Sequence, residues 1–223
     1  MIKSLLIRLL PSGNRPRRVV SGIFKGVVLQ LELTWGLQMW LGLYEREIQS
    51  IMKNMLRRAR SCVDIGAGYG EIPCLCLTRY PAMSVVAVEP NAESIDYLRR
   101  NLELNALAPE RLRLLSLFVG DGPPATHRSL SEIVADLPGP VFIKIDVDGP
   151  EADILAQARD WLATRQALLI IETHSRAAEE QISRQLDDLG YSVRLINPAW
   201  WRKFIPEQRP LAHNRWLVAE PSN

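Results

Sequence analysis

The sequence predicts a doubly wound α/β fold built on a seven-stranded, mostly parallel sheet whose last strand runs antiparallel. Three observations predict it. From residue 61 onward, short apolar runs rich in β-branched residues alternate with segments of helical spacing. A glycine-rich turn, Gly66-Ala-Gly-Tyr-Gly70, follows the first of those runs. The chain has 223 residues, 47% of them hydrophobic and 23% charged, which supplies one large core.

The rhythm begins with Ser61-Cys-Val-Asp-Ile65, a short buried strand, and a helix over 70–79. Met83 to Val88 is the second strand, followed by a helix over 91–105 with Asn91 as N-cap and Glu93 in its first turn. Arg111 to Phe118 reads as a strand, 129–136 as a short helix, and Val141 to Asp146 as the next strand. Pro150 opens a helix at a position proline tolerates. Ala167 to Ile171 is a strand, 176–189 a helix, and Gly190 its C-cap. Tyr191–Ile196 and Trp216–Ala219 are strands with no helix between them, so they pair antiparallel.

Residues 1–60 precede this rhythm as an N-terminal extension, and 61–223 form the main domain. The first ten residues suggest a short amphipathic helix. Arg8 interrupts the apolar run and no small-residue cleavage site follows, which argues against a secretory signal. Residues 11–18 are a breaker-rich link, 19–35 suggest a hairpin, and 42–59 have helical spacing. The extension is basic, with 11 Lys and Arg against 3 Asp and Glu, whereas the remainder carries 16 against 22. That asymmetry suits contact with an anionic surface, such as a peripheral membrane contact, or a simple solvated face. No run of 18 apolar residues occurs. Cys62, Cys74 and Cys76 all fall in core elements and read as buried thiols in a reducing, cytoplasmic setting.

Four groups of residues carry chemistry. Glycines 66, 68 and 70 let the chain turn tightly and approach a ligand closely. The flanking acids Asp64 and Glu71 would repel a pyrophosphate but suit a cation. S-adenosylmethionine, with a sulfonium, an ammonium and no phosphate, is therefore the expected cofactor. Glu89 ends the second strand, where an acid can accept hydrogen bonds from ribose hydroxyls. Lys144, Asp146 and Asp148 alternate along Phe142-Ile-Lys-Ile-Asp-Val-Asp148 and share a face while the chain stays extended. A lysine in a buried strand needs a carboxylate partner, here Asp146 or another acid in the site. His174, in Ile171-Glu-Thr-His174, stands at the carboxyl end of the following strand, and His213 is a weaker candidate. The aromatic residues Trp35, Trp40, Trp200, Trp201 and Trp216 lie in segments able to cover the crevice or to pack in the core.

Together, Asp64-Ile-Gly-Ala-Gly-Tyr-Gly70, Glu89-Pro-Asn91, Lys144-Ile-Asp-Val-Asp-Gly-Pro-Glu151 and Ile171-Glu-Thr-His174 resemble the FkbM-type methyltransferase family. Gly42-Leu-Tyr-Glu-Arg-Glu47 is similar to the segment before the first strand of that family. Two departures are Asp148, where glutamate is commoner, and Pro150, where alanine is commoner. The resemblance implies the Rossmann-like class I methyltransferase fold and O-methylation of a hydroxyl on a sugar, glycolipid or secondary metabolite. The expected cofactor contacts are Asp64, Gly66, Gly68, Gly70, Glu71, Glu89 and Asp121, and the expected catalytic residues are Asp146, His174 and Lys144. A Mg²⁺ shared by Asp146 and Asp148 is a further expectation. Asp146-Val-Asp-Gly stands where DNA amino-methylating enzymes carry an Asn/Asp-Pro-Pro-aromatic block, which argues against a nucleic-acid acceptor, although the basic N-terminus keeps RNA or an anionic glycolipid open. The rival readings are a nicotinamide oxidoreductase on a similar sheet and a non-catalytic binding protein.

Overall fold

The computed structural model describes residues 13–107, 109–203 and 213–222. The amphipathic helix expected over residues 1–10 lies outside them. The central sheet comprises β3 (Ser61–Ile65), β4 (Ser84–Val88), β5 (Leu112–Leu115), β8 (Val141–Ile145), β9 (Ala167–Thr173), β10 (Tyr191–Ile196) and β11 (Arg215–Pro221). Its order is β10-β11-β9-β8-β3-β4-β5. Every pairing is parallel except those of β11, which runs antiparallel to both neighbours. The chain winds outward in opposite directions from β3 and β8, so a crevice opens at their carboxyl ends.

The two faces of the sheet bury separate apolar layers, as fully covered parallel strands must. Val63, Ile65, Ile143 and Ile171 point to one face, against Leu130, Ile154 and Ile182. That face is covered by α5 (Leu130–Val134), α6 (Glu151–Gln157), α7 (Arg159–Thr164) and α8 (Arg176–Asp188). Cys62, Phe142, Leu168 and Ile170 point to the other. There they meet α3 (Glu71–Arg79) and α4 (Ala92–Leu104) through residues such as Leu75 and Leu98, together with the N-terminal residues Phe24, Leu29, Ile48 and Met52. On this second face each strand turns polar at its carboxyl end. Asp64 follows Cys62, Lys144 follows Phe142, and Glu172 follows Ile170, all two residues on and all buried. The three cysteines are buried and unpaired.

The N-terminal segment departs from its sequence-based reading in detail. A hairpin exists, but its strands are β1 (Arg15–Arg18) and β2 (Val28–Leu31), so it begins before the 19–35 stretch read as a hairpin, and its loop takes the first half of that stretch. Asn101 on α4 and Asn105, the C-cap of that helix, fix it: their side chains accept from Gln30 N at 2.7 Å and Val28 N at 2.9 Å. Helix α1 (Leu33–Leu41) follows, unpredicted because the alternating pattern of β2 runs straight into it. Gly42 ends α1 at φ 74°; its N–H bonds to Met39 O and that of Leu43 to Gln38 O. This stop leaves residues 42–48 as a turn, and α2 (Gln49–Arg58) is shorter than the helix expected over 42–59. The Gln49 side chain locks the turn by donating to Gly42 O and Tyr44 O.

One strand is also shorter than expected. The run 111–118 divides, because Phe118 leaves the sheet and donates to Thr126 O. Phe118–Val119 (β6) then pairs with His127–Arg128 (β7) in a separate ribbon.

The glycine turn is held tightly at one point and left open at another. A Cβ on Gly66 would lie 2.0 Å from Asp146 O, whereas one on Gly68 would meet nothing within 4 Å. Both have positive φ. Gly66→Ala is therefore expected to cost on the order of 3 kcal/mol by urea unfolding, and Gly68→Ala only about 1–2 kcal/mol.

Candidate active site

A cavity of about 920 Å³ opens over the carboxyl ends of β3, β4, β8 and β9. That is ample for a nucleoside-sized ligand and an acceptor. Its near end is the glycine turn. Gly66 N and Ala67 N donate to Val88 O at 2.9 and 3.0 Å, folding the turn against the end of β4. Glu89, the next residue, is buried and accepts from Gly68 N and Asn91 N, each at 2.9 Å. Each carboxylate oxygen keeps a second lone pair for a ligand hydroxyl. Trp35 packs on Tyr69, and Tyr69 on Tyr97, with centroids 5.2 and 4.7 Å apart, and the first two line the cavity.

Two acids flank the turn in a low-dielectric setting. Asp64 is 2% exposed, and its Oδ1 is buried without a hydrogen-bond partner. Burial raises its pKa to about 7, against the pull of Lys144. Glu71 is likewise pushed up to about 7 by burial. An orphaned, reluctantly ionised carboxylate is an acceptor awaiting a donor, and a cation supplies one.

The far end is built around Lys144. Its Nζ stands 2.8 Å from Asp146 Oδ2 and 3.0 Å from Glu45 Oε1. Burial alone would discharge the ammonium, but Asp146, Glu45, Tyr44 and Glu172 outweigh it and hold its pKa above the ordinary range. Glu45 is 1% exposed and adopts φ 46° in the turn after Gly42, a conformation rare outside glycine. Burial raises its pKa, and apart from the Oε1 contact with Lys144 its Oε2 is left without a hydrogen-bond partner.

His174 closes this end. Its Nδ1 donates to Glu151 Oε1 at 2.6 Å, which directs Nε2 the other way. That bond, more than the surrounding carboxylates, raises the His174 pKa. Around Nε2 stand Asp148 Oδ1 at 3.7 Å and Glu172 Oε1 at 3.9 Å. Glu172 Oε2 accepts from Trp216 Nε1 at 3.1 Å, across the β9–β11 pairing.

The structure thus gathers Asp64, Gly66, Gly68, Glu71, Glu89, Lys144, Asp146, Asp148 and His174 around one cavity. Asp121 does not join them. It sits exposed in the turn after β6, because the chain leaves the sheet at Phe118; Leu117, Phe118 and Val119 line the cavity instead. Gly70 lies at the start of α3 and is also outside the lining. His213 bonds to Glu179 at 3.2 Å, away from the cavity. Glu45, Tyr44, Glu151 and Glu172 are site residues that the sequence reading did not single out. The alternation Glu172-Thr-His174 carried a signal for one of them, since residues two apart share a face.

A sheet of this order with a glycine turn after its first strand and acids at the strand ends has the class I, Rossmann-like fold, and the family match makes it that of an S-adenosylmethionine-dependent methyltransferase. Residues 48–193 match the model of the methyltransferase small domain family, and the chain belongs to that family. Many solved structures share the fold, among them the following three. Precorrin-6y C5,15-methyltransferase from Geobacter metallireducens GS-15 is 18% identical with TM-score 0.51, over 78% of this chain and 88% of that one. Methyltransferase FkbM from Methylobacillus flagellatus KT is 20% identical with TM-score 0.55, over 72% of this chain and 44% of that one. An rRNA methylase from Streptococcus thermophilus is 13% identical with TM-score 0.52, over 80% and 97%. No curated protein sequence matches the chain. No helix among the described residues is long and apolar enough to cross a membrane.

The residues fit the cofactor. Asp64, with an orphaned oxygen, would face the ammonium group, Glu89 would accept from the ribose, and the backbone at Gly68 is open to close approach. Because Asp64 and Glu71 ionise near pH 7, calorimetry should show S-adenosylmethionine binding strengthen between pH 5.5 and 7.5. The sign for stability is opposite. A carboxyl whose folded pKa is raised stabilises the fold below its unfolded pKa, and that contribution is lost as pH climbs through about 7. Asp64→Asn should therefore gain stability over the cofactor-free parent as pH rises from 4 to 7, by up to about 4 kcal/mol in urea unfolding.

Proposed function

We propose that the protein O-methylates a hydroxyl of a sugar, glycolipid or secondary metabolite, in the manner of the FkbM-type enzymes its motifs resemble. The observation that supports this most directly is the Glu151–His174 pair. A fully buried carboxylate holds Nδ1 and leaves Nε2, at the cavity, as the basic atom. Among the described residues it stands beside Asp146, whose other side is tied to the buried Lys144.

When bound, S-adenosylmethionine supplies an electrophilic methyl on a sulfonium, whose departure as a neutral sulfide needs no acid. The protein is left two tasks. Alignment of an acceptor oxygen falls to the walls of the cavity and can contribute on the order of 7–11 kcal/mol. Removal of the hydroxyl proton falls to His174 and Asp146, and a positioned base typically contributes about 10²–10⁴-fold. Lys144, held protonated, steadies Asp146 and the negative charge that grows on the acceptor oxygen.

The test is transfer of a labelled methyl group to fractions of polar metabolites and glycans, with the product bond identified by its O–CH₃ carbon resonance. His174→Ala should lower kcat by about 10²–10⁴-fold while calorimetric cofactor affinity stays within a few-fold of the parent. Methyl label appearing on carbon or nitrogen would refute the O-methyl assignment, and a fully active His174→Ala variant would remove His174 from the chemistry.

A further inference from the structure

We propose that Trp35 recognises the positive charge on the sulfur of S-adenosylmethionine, its indole forming with Tyr69 an aromatic wall of the cofactor compartment. The inference rests on the S-adenosylmethionine reading of the cavity.

The covalent structure of that molecule fixes where its sulfur can go. The sulfur is bonded on one side to C5′ of the ribose and on the other to the short chain that carries the ammonium group. With the ribose at Glu89 and the ammonium toward Asp64, the sulfonium lies between them, across the glycine turn. Tyr69 stands in that turn beside Gly68, whose N–H donates to Glu89 at 2.9 Å. Trp35 packs on Tyr69 with 5.2 Å between ring centroids and 57° between ring planes, and both line the cavity.

What distinguishes this pair from ordinary core packing is how it is held and what it leaves open. Trp35 is only half-buried, on helix α1, although most of its neighbours on that helix are buried. Tyr97 backs the pair, 4.7 Å from Tyr69 and 6.4 Å from Trp35, and its hydroxyl accepts from Asn14 Nδ2 at 2.6 Å. Asn101 joins the two sides of the wall. It is fully buried; its Oδ1 accepts from Gln30 N at 2.7 Å, and its Nδ2 donates to Tyr69 O at 2.7 Å. One side chain thereby sets the strand that leads into α1 against the glycine turn, and the wall is in place before a ligand enters. Burial first, then Tyr97 and the acids Glu93, Glu71 and Glu89, keeps the Tyr69 phenol neutral well into the alkaline range.

The chemistry of the wall complements that of the acids. The ammonium group is common to the methyl donor and its product, so a carboxylate facing it does not separate the two. An aromatic face attracts a cation through its quadrupole, more strongly as water is excluded, and has no such hold on a neutral sulfide. Trp35 and the whole of α1 precede residues 48–193, so this discrimination comes from the segment outside the family match.

The test is calorimetry on the full-length protein with S-adenosylmethionine and with S-adenosylhomocysteine, its demethylated product; no acceptor and no turnover enter. Trp35→Leu keeps apolar bulk and removes the aromatic face. Its affinity for S-adenosylmethionine should fall by about 5–30-fold while that for S-adenosylhomocysteine stays within about twofold, and Trp35→Phe should recover part of the loss. Circular dichroism checks that each variant folds. If Trp35→Leu does not, replacement of the tryptophans by 5-fluorotryptophan, which withdraws electron density from the ring at nearly unchanged shape, should weaken S-adenosylmethionine binding alone. An equal loss for both ligands, or no loss for either, overturns the proposal and leaves the cofactor reading standing. A parent protein that binds neither ligand overturns both.

Discussion

The buried ammonium of Lys144 is the constraint around which the rest of the site is organised. A lysine in the middle strand of a sheet is tolerable only if carboxylates surround it. Asp146 comes from the same strand, two residues on, at no topological cost. Glu45 comes from the N-terminal segment, 99 positions earlier, and its arrival requires the hairpin on α4, the stop at Gly42 and the turn locked by Gln49. The left-handed backbone at Glu45 is the local strain this route imposes, and the ion pair sustains it. The segment that covers one face of the sheet is thereby also part of the active cavity.

The central sheet was legible because its strands are covered on both faces. Such strands read as unbroken apolar runs, and their order follows from alternation with helices. What escaped were features set by single side chains far away in sequence. Helix α1 was hidden because β2 passes into it without a polar break. The helical spacing is carried by residues 48, 51, 52, 55 and 56, and only the bonds from Gly42 and Gln49 show that the residues before them form a turn and not the start of the helix. Phe118 continues the apolar pattern of β5, yet its backbone is claimed by Thr126.

The site divides the same way. Asp64, Glu89, Lys144, Asp146 and His174 stand at strand ends, where sequence position alone fixes their place at the crevice. Glu172 was readable in principle, since it continues the face of Leu168 and Ile170 and turns that row polar. Glu45 was not, because no periodicity encodes a turn with positive φ. Asp121 was misplaced because it lies beyond the last residue that the sheet controls.

The polar row at the carboxyl end of one face gives the cavity two electrostatic halves. Around Lys144 the ammonium is held in place between Asp146 and Glu45. Around the glycine turn the charges are conditional. Asp64 and Glu71 sit where burial leaves them near the midpoint of ionisation at neutral pH, and an entering cation tips them to the charged form. Methyl transfer removes the positive charge on sulfur and leaves the ammonium group in place. An acid facing the ammonium would stay ionised, and only the attraction exerted on the sulfur would weaken.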